Sequence, residues 1–354
     1  MIDPKEKGNG KDTEAGTVRS KALAKRTDRV LAAKEHRDQI LEGAVKDDRK
    51  KIYQAKPLLI CGLPYRPHRD KKSKKPIPHF VTKARLNRDF YLVTTFSTNK
   101  DPENGGEIPY GKDRVLMMWL LNKAFVGQSR YIKLSSILEY MKEFDEDTSG
   151  STSRQVAMER LFRLESLTIR LDLVPVAEKK FTNLTAGGKN AERKAMAFPL
   201  FSYIHLPGDN LDKSKENLPE GFGEEDFFVV ISAEIWETFH QHAWVPLDLH
   251  LMKQFANRPK AWAIAGFISY RAHGARETKK GVFIPWNDLR EQLGSVDTNS
   301  TQLKNTVREV LAEIQNQWPG GLNVALDANG NMTIQPPALN IVEKRPALSN
   351  KAEE

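Results

Sequence analysis

The sequence has almost no cysteine. Its single thiol, Cys61, can form neither an intramolecular disulfide nor a cysteine-based zinc site, which suits a reducing compartment. Long hydrophobic runs are also missing. Every apolar stretch falls far short of the roughly 20 residues a bilayer helix needs, and no apolar signal-peptide core follows Met1. A soluble, cytoplasmic protein with no membrane partner is expected. Several enzyme signatures are absent too. Strand nicking would need a His-hydrophobic-His metal pair with a nucleophilic Tyr, and the nearest match, His240, Gln241 and His242, has a polar centre at a helix end. Ala186 to Asn190 (AGGKN) lacks the spacing and hydroxyl of a phosphate-binding loop, so ATP-driven unwinding is not supported. Asp145, Glu146 and Asp147 are adjacent in sequence, do not converge, and read as a solvated loop. No catalytic residue, metal or cofactor is expected.

What the chain does carry is charge, unevenly placed. Residues 1–88 hold 24 Lys and Arg against 11 Asp and Glu, a surplus of 13, whereas the remainder holds 31 against 35. A basic arm on a near-neutral body attracts a polyanion such as nucleic acid or an anionic surface, although a solubilising tail would have the same composition. A length of 354 residues suggests two domains plus tails.

Residues 1–16 have no apolar period, and Thr17 to Ile52 reads as a marginal, Ala-rich helix with sparse Leu23, Val30, Leu31, Ile40 and Leu41. Pro67 to Pro78 is a basic linker, which makes 1–88 an arm and linker. A first globular segment, 89–207, follows. It contains a strand at Phe90 to Phe96, helices at Lys112 to Phe125 and Leu134 to Phe144, and a third helix opened by the Thr148 to Ser153 cluster. Strands at Thr168 to Val174 and Met196 to Leu206 then enclose a long polar loop with Lys189, Arg193 and Lys194.

A Gly, Pro and acid-rich stretch, 208–225, reads as an interdomain linker, after which the order repeats over 226–337, with 338–354 as a tail. Pro259 opens a helix apolar almost all round, which marks it as core. Val282 to Ile284 is a short strand, Pro285 to Leu293 a short helix and Thr301 to Trp318 a long one. The last element is a hairpin around Asn329-Gly330.

Helix, strand, helix, helix, hairpin is the winged-helix order, so the expected fold is α+β with two tandem winged-helix domains behind a basic arm. In the second unit the candidate reader of DNA is Thr301 to Trp318. Leu303, Val307, Val310, Leu311, Ile314 and Trp318 share one face, Thr301, Asn305 and Arg308 point away, and Lys304 lies on the flank. Arg suits guanine and Asn suits adenine. The other reading of this helix is the solvated face of a protein-interaction module. In the first unit the corresponding candidates are Ser153, Arg154 and Gln155 at the start of the third helix. Its Lys/Arg-rich hairpin, with Lys189, Arg193 and Lys194, would be the wing.

Four stretches resemble the plasmid-encoded RepA family of replication initiators. They are Cys61 to Pro67 (CGLPYRP), Pro109 to Ala124 (PYGKDRVLMMWLLNKA), Phe198 to Leu206 (FPLFSYIHL) and Pro246 to Arg271 (PLDLHLMKQFANRPKAWAIAGFISYR). The resemblance implies binding to direct repeats in double-stranded origin DNA, duplex opening, and recruitment of the host initiator and replicative helicase. It also implies a homodimer that represses and a monomer that initiates. The shared stretches are mostly apolar framework, so the base-reading candidates come from the helix faces alone.

Overall fold

The computed structural model describes residues 31, 51–65, 67, 80–87, 90–98, 107–175, 197–209, 218–241, 244–293, 300–316 and 323–336. The chain enters the fold through strand β1 (Lys51–Ala55) and the single-turn helix α1 (Lys56–Ile60), then forms strands β2 (Phe80–Asn87) and β3 (Phe90–Thr98). Helix α2 (Asp113–Gly127), strand β4 (Tyr131–Leu134) and helices α3 (Leu138–Glu143) and α4 (Ser151–Glu165) follow. Next come strands β5 (Leu167–Pro175), β6 (Phe198–Pro199), β7 (Phe201–His205) and β8 (Phe227–Ile231). The second half runs α5 (Ala233–Gln241), β9 (Trp244–Asp248), α6 (Leu249–Phe255), α7 (Pro259–Thr278), β10 (Val282–Ile284) and α8 (Trp286–Leu293). It ends with α9 (Ser300–Gln315), β11 (Val324–Leu326) and β12 (Met332–Ile334). Helices and small antiparallel sheets share the core, an α+β arrangement.

Two expectations about boundaries fail. Residues 51–65 are not part of a solvated arm: Ile52, Ala55, Leu58, Cys61 and Leu63 are buried, and β1 pairs antiparallel with β9 far along the chain. β1 is only five residues long (KIYQA) and follows a highly charged stretch, which conceals a core strand. The outer edge of β1 is closed locally, since the Tyr53 amide donates to Asn122 Oδ1 at 2.7 Å. Pro246 of β9, which has no donor, faces Tyr53 across the pair.

The stretch 208–225 is not a linker between units either. β7 and β8 pair across it, and β8 also pairs with β4, so one three-stranded sheet in the order β4-β8-β7 spans the expected boundary. All five residues of β8 are buried, a demand that only a central strand meets. The hairpin expected between Thr168 and Leu206 is also redrawn. β5 pairs with β3 along its whole length and with β6 at only two residues, in the sheet β2-β3-β5-β6. Lys189, Arg193 and Lys194 lie outside the described residues, as do residues 68–79 of the expected basic linker.

One continuous core joins the two halves. α2 is buried nearly all round from Asp113 to Leu121, because β1, α4 and β4 pack on it from different sides. Phe125 at its end stacks on Trp244 of β9 with ring centres 4.4 Å apart, and Phe144 meets Trp262 of α7 at 6.2 Å. Fully buried side chains of this size each contribute about 1.5–3 kcal/mol.

Glu146, expected in a solvated loop, is instead a half-buried strut. Its carboxylate accepts from Arg160 Nη1 at 2.8 and 3.0 Å, Lys112 Nζ at 3.3 Å and the Tyr140 hydroxyl at 3.3 Å. Burial alone would push this carboxyl up. The Arg160 guanidinium, with Lys112 second, outweighs burial and holds it below its ordinary value of 4.5. A carboxyl lowered on folding stabilises the fold above its unfolded value, and that contribution is lost as pH falls through the lowered one. Acid unfolding should therefore lose steepness below about pH 4.5 in Glu146→Gln, which urea titrations across pH 3–6 would measure. Identical pH slopes in variant and parent would show that the pair adds nothing.

Candidate nucleic-acid interface

Three ties fix helix α9. Leu303, Val307, Val310, Leu311 and Ile314, at helical spacing, are buried and set its roll, and it packs along α7. Arg258, just before α7, donates from Nη1 to both Glu313 oxygens at 2.9 Å, and Gln315 Nε2 donates to the Val324 carbonyl at 2.8 Å. The opposite face presents Thr301, Gln302, Asn305 and Arg308 to solvent, with Lys304 half-buried at its edge. Among the described residues, the Asn305 and Arg308 side chains make no hydrogen bond or ion pair, whereas Thr301 and Gln302 are engaged in interactions of their own. Two exposed polar side chains thus stand on a helix fixed at three points.

Strand β12 lies between β10 and β11, giving the order β10-β12-β11 and placing the hairpin turn beside α8 and α9. Asp327 organises that turn. Its carboxylate accepts from the Asn331 amide at 2.9 Å and the Asn331 side chain at 2.8 Å, which hold it below the usual aspartate range. Asn331 Oδ1 in turn accepts from the Trp286 amide at 2.9 Å, satisfying a free N–H at the start of α8. Gly330 has φ +93° and is buried, a conformation and a space that Asn-Gly supplies.

The first half places its candidates differently. On α4, Ser153 Oγ donates to Asp147 Oδ2 at 3.4 Å, Arg154 donates to the Thr148 carbonyl at 3.2 Å from its terminal nitrogen, and Gln155 pairs with Glu159 at 3.1 Å. Local partners hold all three. The basic-looking face of this helix is also spent inward, because Arg160 pairs with Glu146 and Arg163 grips Asp113. Its neighbouring hairpin β7-β8 carries Asp209, Glu220, Glu224, Glu225 and Asp226 among its described residues, a sign that repels phosphate. The structure therefore gathers Thr301, Asn305 and Arg308 on the exposed face of α9, whereas Ser153, Arg154 and Gln155 stand at the start of α4, each held by a local partner. Sequence reasoning missed the Asp327-Asn331-Trp286 tie, although the Asn-Gly turn marked its place.

No family model matches the chain, and no curated protein matches it. Among solved structures it is similar to a crystal structure of domains 2 and 3 of RctB, with a TM-score of 0.45 at 13% identity, covering 79% of this chain and 98% of that one. A second RctB structure, residues 155–483 comprising domains 2–3, gives 0.43 at 10% identity, covering 79% and 96%. No described helix is long and apolar enough to cross a membrane.

Proposed function

We propose that the protein is a non-enzymatic, sequence-specific DNA-binding protein that reads the major groove with α9. The observation that supports this most is the order α7-β10-α8-α9-β11-β12 with the strand order β10-β12-β11, which is the order expected of a winged helix, with Asn305 and Arg308 exposed and without a partner among the described residues. The first half has a similar order, α2-β4-α3-α4 and then β7-β8 with the strand order β4-β8-β7, but β5 and β6, which belong to another sheet, are inserted between α4 and β7. Together with the resemblance to plasmid RepA initiators, this favours a replication initiator. It would bind direct repeats at an origin, help open the duplex and recruit a host initiator and helicase, with dimerisation as its regulatory state. A transcription regulator of the same fold is the second reading. Origin opening on a supercoiled plasmid, scored by reactivity of unpaired bases, separates the two.

The N-terminal residues 1–50, with 13 Lys and Arg against 10 Asp and Glu, supply a test of how the chain holds the phosphate backbone. Deleting residues 1–50 should leave the fold intact, because the first buried core residue among the described ones is Ile52, and should flatten the salt dependence of binding by about 0.9 in log-log slope per lost phosphate contact. Deleting 1–65 should abolish cooperative melting. An unchanged slope in the shorter deletion would assign the arm to another partner.

A further inference from the structure

Three elements meet at Lys304. Its ammonium stands 5.0 Å from the centre of the Trp286 ring at the start of α8. The hairpin turn closes the other side: a Cβ on Gly330 would meet Lys304 Cε at 2.7 Å and Trp286 Cε3 at 3.1 Å. The Trp286 amide is bonded to Asn331 of the same turn. Indole is the strongest ring partner for a cation, and a side chain enclosed between a ring and a glycine backbone has little freedom to reach a phosphate. The turn itself has no cation. Its one charged group, Asp327, is committed to Asn331, which leaves Asn329 as its exposed residue with both donors and acceptors.

We propose that Lys304 is a positioning residue. It locks the hairpin turn onto α9, so that Asn329 on the turn and Asn305 and Arg308 on the helix meet the duplex as one rigid surface, with Asn329 reading sequence. This rests on the DNA-binding function proposed above. A turn without positive charge contributes discrimination rather than grip, which makes its alignment with the helix the property that matters.

A double-mutant cycle on the full chain tests the lock, using a duplex selected by the unaltered protein and a scrambled competitor at several salt concentrations. Asn329→Ala should reduce preference for the selected duplex about five- to tenfold in the parent. It should do so less than about twofold in Lys304→Ala, because an unlocked turn no longer presents that side chain. The salt slope of Lys304→Ala should equal that of the parent. Trp286→Phe, which keeps a ring with a weaker cation site, should shrink the Asn329 effect in the same direction and guards against a Lys304 variant that folds poorly. A slope lowered by about 0.9, with the Asn329 effect intact, would make Lys304 a phosphate contact and overturn the proposal. Simple additivity of the two substitutions would overturn it as well. If the parent selects no duplex, the proposed function falls instead and Asn329 loses its role with it.

Discussion

Truncating Arg308 or Asn305 to alanine should weaken binding to the cognate duplex by about 1–3 kcal/mol each, roughly five- to 150-fold, and relax preference at one or two base positions. The magnitude follows from what these side chains lack. Among the described residues neither has a protein partner to lose, so nothing there offsets the contact made to a base edge. For the same reason neither truncation should move the melting temperature. Competition binding with cognate and scrambled duplexes measures the effect. Should Arg308→Ala weaken both duplexes equally, α9 holds the backbone and sequence is read elsewhere.

Replacing Asp113 with alanine should destabilise the fold by about 3–5 kcal/mol, the range for breaking a buried pair from one side. The Asp113 side chain is 2% exposed. Its two oxygens accept from Arg163 Nε and a terminal guanidinium nitrogen, each at 2.9 Å, and Oδ2 also accepts from the Tyr110 amide at 3.0 Å. Removing it leaves the Arg163 charge, whose side chain is only 20% exposed, without its carboxylate. Asp113 also opens α2, where a negative charge favours the free N–H groups. Adding Arg163→Met to Asp113→Ala should recover part of the loss, since the stranded cation is then gone. Denaturant melts of the parent, the single and the double variant decide it. A loss under about 1 kcal/mol in the single variant would reduce the pair to decoration.

The parts of this fold that were legible share one property: their signals are local. α9 declares its buried stripe within four turns, and the β11-β12 hairpin declares itself at Asn329-Gly330. Failures came where the deciding contact is distant in sequence. β1 is a core strand only because β9 pairs with it, and the acid-rich stretch before β8 looks like a linker until β7 and β8 are seen to pair. Arg160 and Arg163 pair with Glu146 and Asp113, which belong to a loop and to another helix, so the helix's own sequence does not show these partners. Charge types were visible in the sequence. Their pairing was not.

The central claim, that α9 reads a defined duplex sequence, is tested most directly by footprinting the purified protein on the DNA flanking its own gene. Parent protein should protect a set of direct repeats at concentrations that leave random DNA bare, and the double variant Asn305→Ala with Arg308→Ala should lose that protection while melting like the parent. Uniform or absent protection by the parent, or protection unchanged in the double variant, would contradict it.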